Sequence, residues 1–198
     1  METIRGKASR YLDGYELRTR LAEHSRVVLD LGTGDGKYAL CHARAFPGHF
    51  VIGVDACREN LHAHSRAGLS NLVYLIANAQ SLPGELDGLI SHITINFPWG
   101  SLLGGLLEAD PKLLRGLESV SQAGANLDIR LNGGALAEAG ATLEEGAVKV
   151  FANLQNAGWR MQSPLLMDAR ALHNFPSAWA KRLAFGRDPR AIHLSGSL

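Results

Sequence analysis

Short, dense apolar runs punctuate this chain, and stretches with helical spacing lie between them. Residues 27–31, 50–54, 71–77 and 89–97 are rich in Val, Ile and Leu with little alternation, which is the pattern of strands buried on both faces of a parallel sheet. Residues 125–131, 159–166 and 190–195 bring the predicted strands to seven. Helices are predicted over 37–45, over 58–67, over 111–120, where Pro111 suits the first helical position, and over 143–156. In the last of these Leu143, Ala147, Val150, Phe151 and Leu154 share one face, and Gly158 follows as a stop. Alternating β and α units ending in a strand pair imply an α/β fold on one seven-stranded, mostly parallel sheet with an antiparallel terminal strand.

The first strand runs straight into Gly32-Thr33-Gly34-Asp35-Gly36, with a predicted helix behind it. Such a turn makes a nucleotide cradle, because glycines let a ligand approach the backbone and a helix start offers unpaired N–H groups. The second strand ends on Asp55, about 20 residues further on, where an acid accepts both hydroxyls of an adenosine ribose. The loop spacing is G-x-G-x-G instead of the dinucleotide G-x-G-x-x-G, and Asp30 stands two residues before the first glycine. A carboxylate there suits an amino group better than a pyrophosphate. S-adenosylmethionine (SAM) has a cationic methionine end and no phosphate, so Asp30, Gly32, Gly34 and Asp55 are candidate SAM contacts.

A chain of 198 residues with 46% hydrophobic content suffices for one full core and is too short for two complete α/β domains. One domain over 1–198 is expected, with a short N-terminal extension over about 1–24 and a basic, tryptophan-containing linker over about 173–190 before the last strand. Cys41 and Cys57 have no metal spacing and no need to pair, as in a reducing cytosol. The first residues hold no apolar signal core, and no stretch approaches the ~18 apolar residues of a membrane span, so a cytoplasmic protein is expected. Net charge is only +1, yet beyond residue 159 Arg160, Arg170, Lys181, Arg182, Arg187 and Arg190 face only Asp168 and Asp188. That clustering fits either a solvated face or a nucleic-acid partner.

In an open α/β sheet ligands bind at the carboxyl ends of the strands. Besides Asp30 and Asp55, that rule selects Asn78-Ala79-Gln80 and Asn96-Phe97-Pro98-Trp99-Gly100, and so adds Ala79, Gln80 and Asn96 to the candidate cofactor contacts. A strand ending in Phe-Pro-Trp-Gly holds an indole beside the place where a methyl group would point. Two segments, NFPWGSLL at 96–103 and FPSAWAKRLAFGR at 175–187, together with LDLGTGDG at 29–36 and IGVD at 52–55, extend over nearly the whole chain. In these the chain resembles the Kam family of aminoglycoside-resistance 16S rRNA methyltransferases, the kanamycin–apramycin type, which methylate N1 of adenine 1408. The resemblance implies a class I SAM-dependent methyltransferase (Rossmann-like) fold and a monomer acting on helix 44 of the intact 30S subunit. It implies that Trp99 and Trp179 stack on the flipped adenine. It also implies SAM contacts at Asp30, Gly32, Asp55, Ala79 and Ser101, with Ser177 near the methionine end. Lys181, Arg182 and Arg187 would then hold RNA phosphates, with Arg190 as an addition. Base flipping costs a few kcal/mol, and aromatic stacking returns ~1–3 kcal/mol per base, so two indoles offset the cost.

Adenine N1 carries an in-plane lone pair and no proton at neutral pH, so methyl transfer needs alignment and no general base. No such role falls to Asp35, Glu59 or a histidine. His62 and His64 lie in a predicted surface helix without a third ligand, and no metal is expected. Residues 61–68 form a short connection whose one cation is Arg66, where the family tends to carry a longer, lysine-rich linker, and weaker docking on the ribosome is expected from that. Gln80, Asn96 and Pro189 also depart from the family pattern. Residues 96–99 bear a fainter likeness to the N-F-P-D-P-W stretch of tRNA guanine-N7 methyltransferases and to the N-P-P-Y/F corner of N6-adenine enzymes. A SAM-dependent small-molecule enzyme and a noncatalytic RNA-binding descendant are the remaining readings. The C-terminal tryptophan motif favours rRNA.

Overall fold

Glycines, prolines and short polar caps set the ends of the elements. The computed structural model describes residues 1–186 and 188–198, and Arg187 lies outside them. The chain opens with a hairpin, β1 (Glu2–Arg5) and β2 (Ala8–Tyr11), followed by α1 (Gly14–Leu21), whose N-cap Asp13 accepts from the Glu16 N–H. Next come β3 (Arg26–Leu31), α2 (Lys37–Ala45), β4 (His49–Asp55), β5 (Leu72–Ile76) and β6 (Ile90–Asn96). They lead to α3 (Gly100–Leu107), α4 (Pro111–Val120), β7 (Ser121–Asn132), α5 (Gly133–Glu138) and α6 (Leu143–Asn156). The chain ends with β8 (Arg160–Met161), β9 (Leu165–Met167), α7 (Ala169–Asn174), α8 (Ala178–Ala184) and β10 (Ala191–Ser197). Pro111 does stand in the first turn of α4, where Asp110 caps two N–H groups, and Thr142 with Glu145 closes a capping box on α6.

Among the described residues all strands join one sheet in the order β2-β1-β5-β4-β3-β6-β7-β10-β8, with β9 also against β10. The five central strands from β5 to β7 are parallel, whereas β1, β2, β8, β9 and β10 pair antiparallel. The seven-stranded, mostly parallel sheet expected from the pattern is therefore corrected to ten strands with antiparallel flanks on both sides. Two causes account for the difference. The hairpin strands ETIR and ASRY are short and mostly polar, so the expected N-terminal extension instead adds an edge to the sheet. The expected strand at 159–166 breaks in two around Pro164, which has no N–H for a ladder. The expected helix at 58–67 is two 3₁₀ turns, Asn60–His62 and His64–Ala67, ended by Gly68.

Alternation along β6 sorts its side chains: Ile93 and Ile95 enter a large core under α1, α3, α4 and α6, while Thr94 and Asn96 point to the other face. On that other face α2 lays Ala39, Leu40 and Ala43 on Val28, Val51 and Tyr74. Nearer the carboxyl ends a small third cluster forms where Leu172 of α7 and Ala180 of α8 pack with Phe97 and Ala191. The tryptophan-bearing segment is thus anchored beside the strand ends. Among the described residues no helix is long and apolar enough to cross a membrane.

Candidate active site

A cleft of about 610 Å³ opens at the carboxyl ends of β3, β4, β5 and β6, walled by the glycine loop, by residues 77–79, by the start of α3 and by α8. Its shape depends on two glycines. Gly36 has φ +78°, and a Cβ there would lie 2.4 Å from the Tyr74 ring, whose hydroxyl donates to the Gly36 carbonyl at 2.7 Å. Gly32, at φ +71°, leaves room for Leu102, which a Cβ would meet at 2.6 Å. Between them the Gly32 and Thr33 N–H groups both donate to the Val54 carbonyl, tying the loop to the end of β4.

Asp30 is buried at the cleft floor, 1% exposed. Thr33 donates to one of its oxygens; Thr94 at 2.9 Å and Asn96 at 3.0 Å donate to the other. Burial pushes the Asp30 carboxyl up to about 6, against these three donors and the Arg130 charge, which pull it down. Such a group gains strongly from an arriving cation. Tyr38, which also lines the cleft, is pushed up to about 12 by burial and the Asp30 charge, and is a neutral wall.

Asp55 closes the opposite side of the loop. One oxygen accepts the Gly34 N–H at 2.9 Å, and the other accepts the Cys57 N–H at 2.9 Å and the Asn60 amide at 3.2 Å. A carboxylate offers about four acceptor sites, so these donors orient it and leave a site for a hydroxyl. Ala79, Asn96, Ser101 and Ser177 also line the cleft, with the Ser177 hydroxyl oxygen accepting the Trp179 N–H to cap α8. Gln80 does not. Its amide turns to Asp110 at 3.2 Å, so this candidate contact is corrected to a brace for the start of α4.

At the mouth stand Trp99 and Trp179, 42% and 38% exposed, with ring centroids 5.8 Å apart and planes at 66°. A base between two stacked rings needs about 7 Å, two contact gaps of ~3.5 Å, so the rings must part and turn parallel to hold one. Phe97 aims Trp99: it has φ +54°, a left-handed conformation that disfavours a bulky residue. Its N–H donates to the Arg130 carbonyl at 2.8 Å, and its ring meets Phe175 edge-on.

The expected RNA-facing cations divide. Arg182 lines the cleft and lies over the Trp179 ring at 5.6 Å, and Lys181 is exposed beside it. Arg190 pairs with Asp188 at 2.8 Å and with Glu144 at 2.9 Å, hydrogen bonds that hold its guanidinium pKa above the ordinary arginine range. Its charge is already matched, which corrects its reading as a free phosphate contact. Arg66 is exposed but lies outside this cleft, and Arg187 falls on the residue not described.

Arg130 and Asn60 escaped the sequence reading. Arg130 donates to the Asn96 side-chain amide oxygen Oδ1 at 3.0 Å and stacks its guanidinium 4.7 Å over Phe175, whose ring in turn stacks on Tyr38. The one sequence signal was an arginine inside an apolar strand, LDIRLN.

Residues 2–198 match the family NpmA: 16S rRNA (adenine(1408)-N(1))-methyltransferase. An Escherichia coli 16S rRNA (adenine(1408)-N(1))-methyltransferase is 32% identical over 217 residues, covering 99% of this chain and 98% of that protein. The crystal structure of the 16S rRNA methyltransferase KamB superposes with a TM-score of 0.90 at 30% identity, over 100% of this chain and 99% of that one. A tRNA (guanine-N(7)-)-methyltransferase of Anaeromyxobacter dehalogenans is 36% identical over 153 residues, covering 72% of this chain and 71% of that protein.

Proposed function

Because the chain belongs to the 16S rRNA (adenine(1408)-N(1))-methyltransferase family, we propose that it methylates N1 of adenine 1408 in helix 44 of the 30S subunit and so confers aminoglycoside resistance. SAM supplies the methyl group. The observation that carries this reading is a buried carboxylate, Asp30, at one end of a cleft whose mouth bears two exposed indoles. Asp30 receives the amino cation of the methionine end, and Asp55 receives a ribose hydroxyl.

The chemistry is an in-line displacement. The N1 lone pair forms the new C–N bond as the methyl carbon leaves sulfur, the sulfonium becomes a neutral sulfide, and the positive charge passes to the adenine ring. No proton is removed, so no base is required, and alignment supplies most of the rate. Trp99 and Trp179 part to admit the flipped adenine and stack on its two faces, and Lys181, Arg182 and Arg187 draw the RNA backbone to the mouth. The protein acts as a monomer in the cytoplasm.

Labelled SAM incubated with purified 30S subunits, naked 16S rRNA and bulk tRNA tests this, with reverse transcription to map the modified base. N1 methylation blocks the Watson–Crick edge and stops the copying enzyme. A stop at adenine 1408 on 30S alone is expected. Label confined to tRNA would replace this reading by guanine-N7 transfer, in keeping with the partial relative.

A further inference from the structure

A second cleft, of about 440 Å³, lies at the hairpin edge of the sheet, between β1, β2 and the end of the connection from β4 to β5. It is lined by Arg5, Arg10 and Arg20 with Ser9, Ser65 and Ser70 and, among the described residues, by no Asp or Glu. Arg10 and Arg20 share the single carboxylate of Glu16, at 2.7 and 3.5 Å. Among the described residues, Arg5 meets no carboxylate within ion-pair distance. Three guanidinium groups against one acid leave the cleft net positive.

Two glycines make room for Arg5 and for its neighbour Arg66. Gly68, at φ +61°, lies so close to Arg5 that a Cβ would come 2.6 Å from the guanidinium. Gly6, at φ +62°, receives the aliphatic stem of Arg66 in the same way, with a Cβ at 3.3 Å from it. The hairpin and the connection thus exchange an arginine for a glycine in both directions. Gly6 also donates its N–H to the buried Ser65 hydroxyl at 2.8 Å, which fixes the two segments against each other.

The same connection borders both clefts. Asn60 lines the cofactor cleft and bonds Asp55, His64 meets the Asp35 carbonyl of the glycine loop at 2.7 Å, and Ser65, Gly68 and Ser70 line the second cleft. We propose that this second cleft grips a phosphodiester segment of the ribosomal RNA substrate, with Arg5, Arg10 and Arg20 as the phosphate donors. The inference rests on the rRNA reading above. Guanidinium forks match phosphate oxygens two at a time.

Arg5→Glu tests the cleft in the full chain. Methyl transfer is measured against 30S concentration at several salt concentrations, and cosedimentation with 30S is measured without SAM. The expected result is a KM for 30S raised several-fold, weaker cosedimentation, and a salt slope shallower by about 1. Glu16→Gln, which frees the charges of Arg10 and Arg20, is expected to lower the KM. SAM affinity by calorimetry serves as the check that both variants fold. An unchanged KM and salt slope in Arg5→Glu would overturn the proposal and leave the arginines as guards of an exposed edge strand. Cosedimentation needs no methyl transfer, so a wild-type chain that failed to methylate 30S would count against the activity alone.

Discussion

Asp30 holds a negative charge in a place that resists it. With its carboxyl pushed up to about 6 by burial, Asp30 in its proposed role offers the amino cation of SAM an ionised partner at pH 7 and a largely protonated one at pH 5. The sign follows: affinity for SAM falls as pH drops through 6, by roughly tenfold between pH 7 and pH 5 for a single proton. Calorimetry across that range measures it, and a flat profile would remove Asp30 from the amino site. At the mouth, Trp179→Ala is expected to cut methylation of 30S by about five- to 150-fold while SAM binding is kept, since the loss of ~1–3 kcal/mol of stacking falls on the RNA base alone. Full activity in that variant would end the two-indole arrangement. Phe97 belongs to the same scale. Its left-handed backbone costs about 1–2 kcal/mol, offset by the Arg130 carbonyl and the packing around its ring, and the result is a fixed direction for Trp99.

The elements differ in how plainly they could be read. The central strands β3 to β6 were legible because both of their faces are buried, so apolar density alone marks them. Helices α2, α4 and α6 were legible from a glycine turn, a proline and an apolar face ended by Gly158 respectively, each a local signal. The hairpin was not legible, since β2 is exposed throughout and its pairing with β1, which in turn joins β5, is a tertiary choice. Helices α3 and α5 open on glycines, which weaken the propensity signal. The glycine turn before α2 makes the firmest demand on sequence. Gly36→Ala places a side chain at positive φ and against the Tyr74 ring, and is expected to destabilise the fold by more than ~1 kcal/mol. Chemical denaturation reads this directly, and an unchanged midpoint would mean that the loop yields.

Across the whole molecule, the lining of the cleft was legible where it lies along one segment and hidden where it is assembled from distant ones. Asp30, the glycine loop and Asp55 are neighbours in sequence or sit on adjacent strands, so spacing found them. Arg130 reaches Asn96 across 34 positions and Asn60 reaches Asp55 from an irregular connection, and no local pattern announces either. Arg190 is matched both by Asp188, two residues before it, and by Glu144, 46 residues away, and only the second of these partners is out of reach of local pattern. The bridge made by Arg130 has a consequence for order of assembly. One end braces the wall of the cofactor pocket through Asn96, and the other lies on Phe175 at the root of the segment that carries Trp179. If occupancy at one end shifts the posture of the other, thermodynamic reciprocity fixes the exchange: whatever factor SAM adds to the affinity for the RNA substrate, that substrate adds to the affinity for SAM. The route by which the two partners arrive sets the speed of assembly and leaves the final balance untouched.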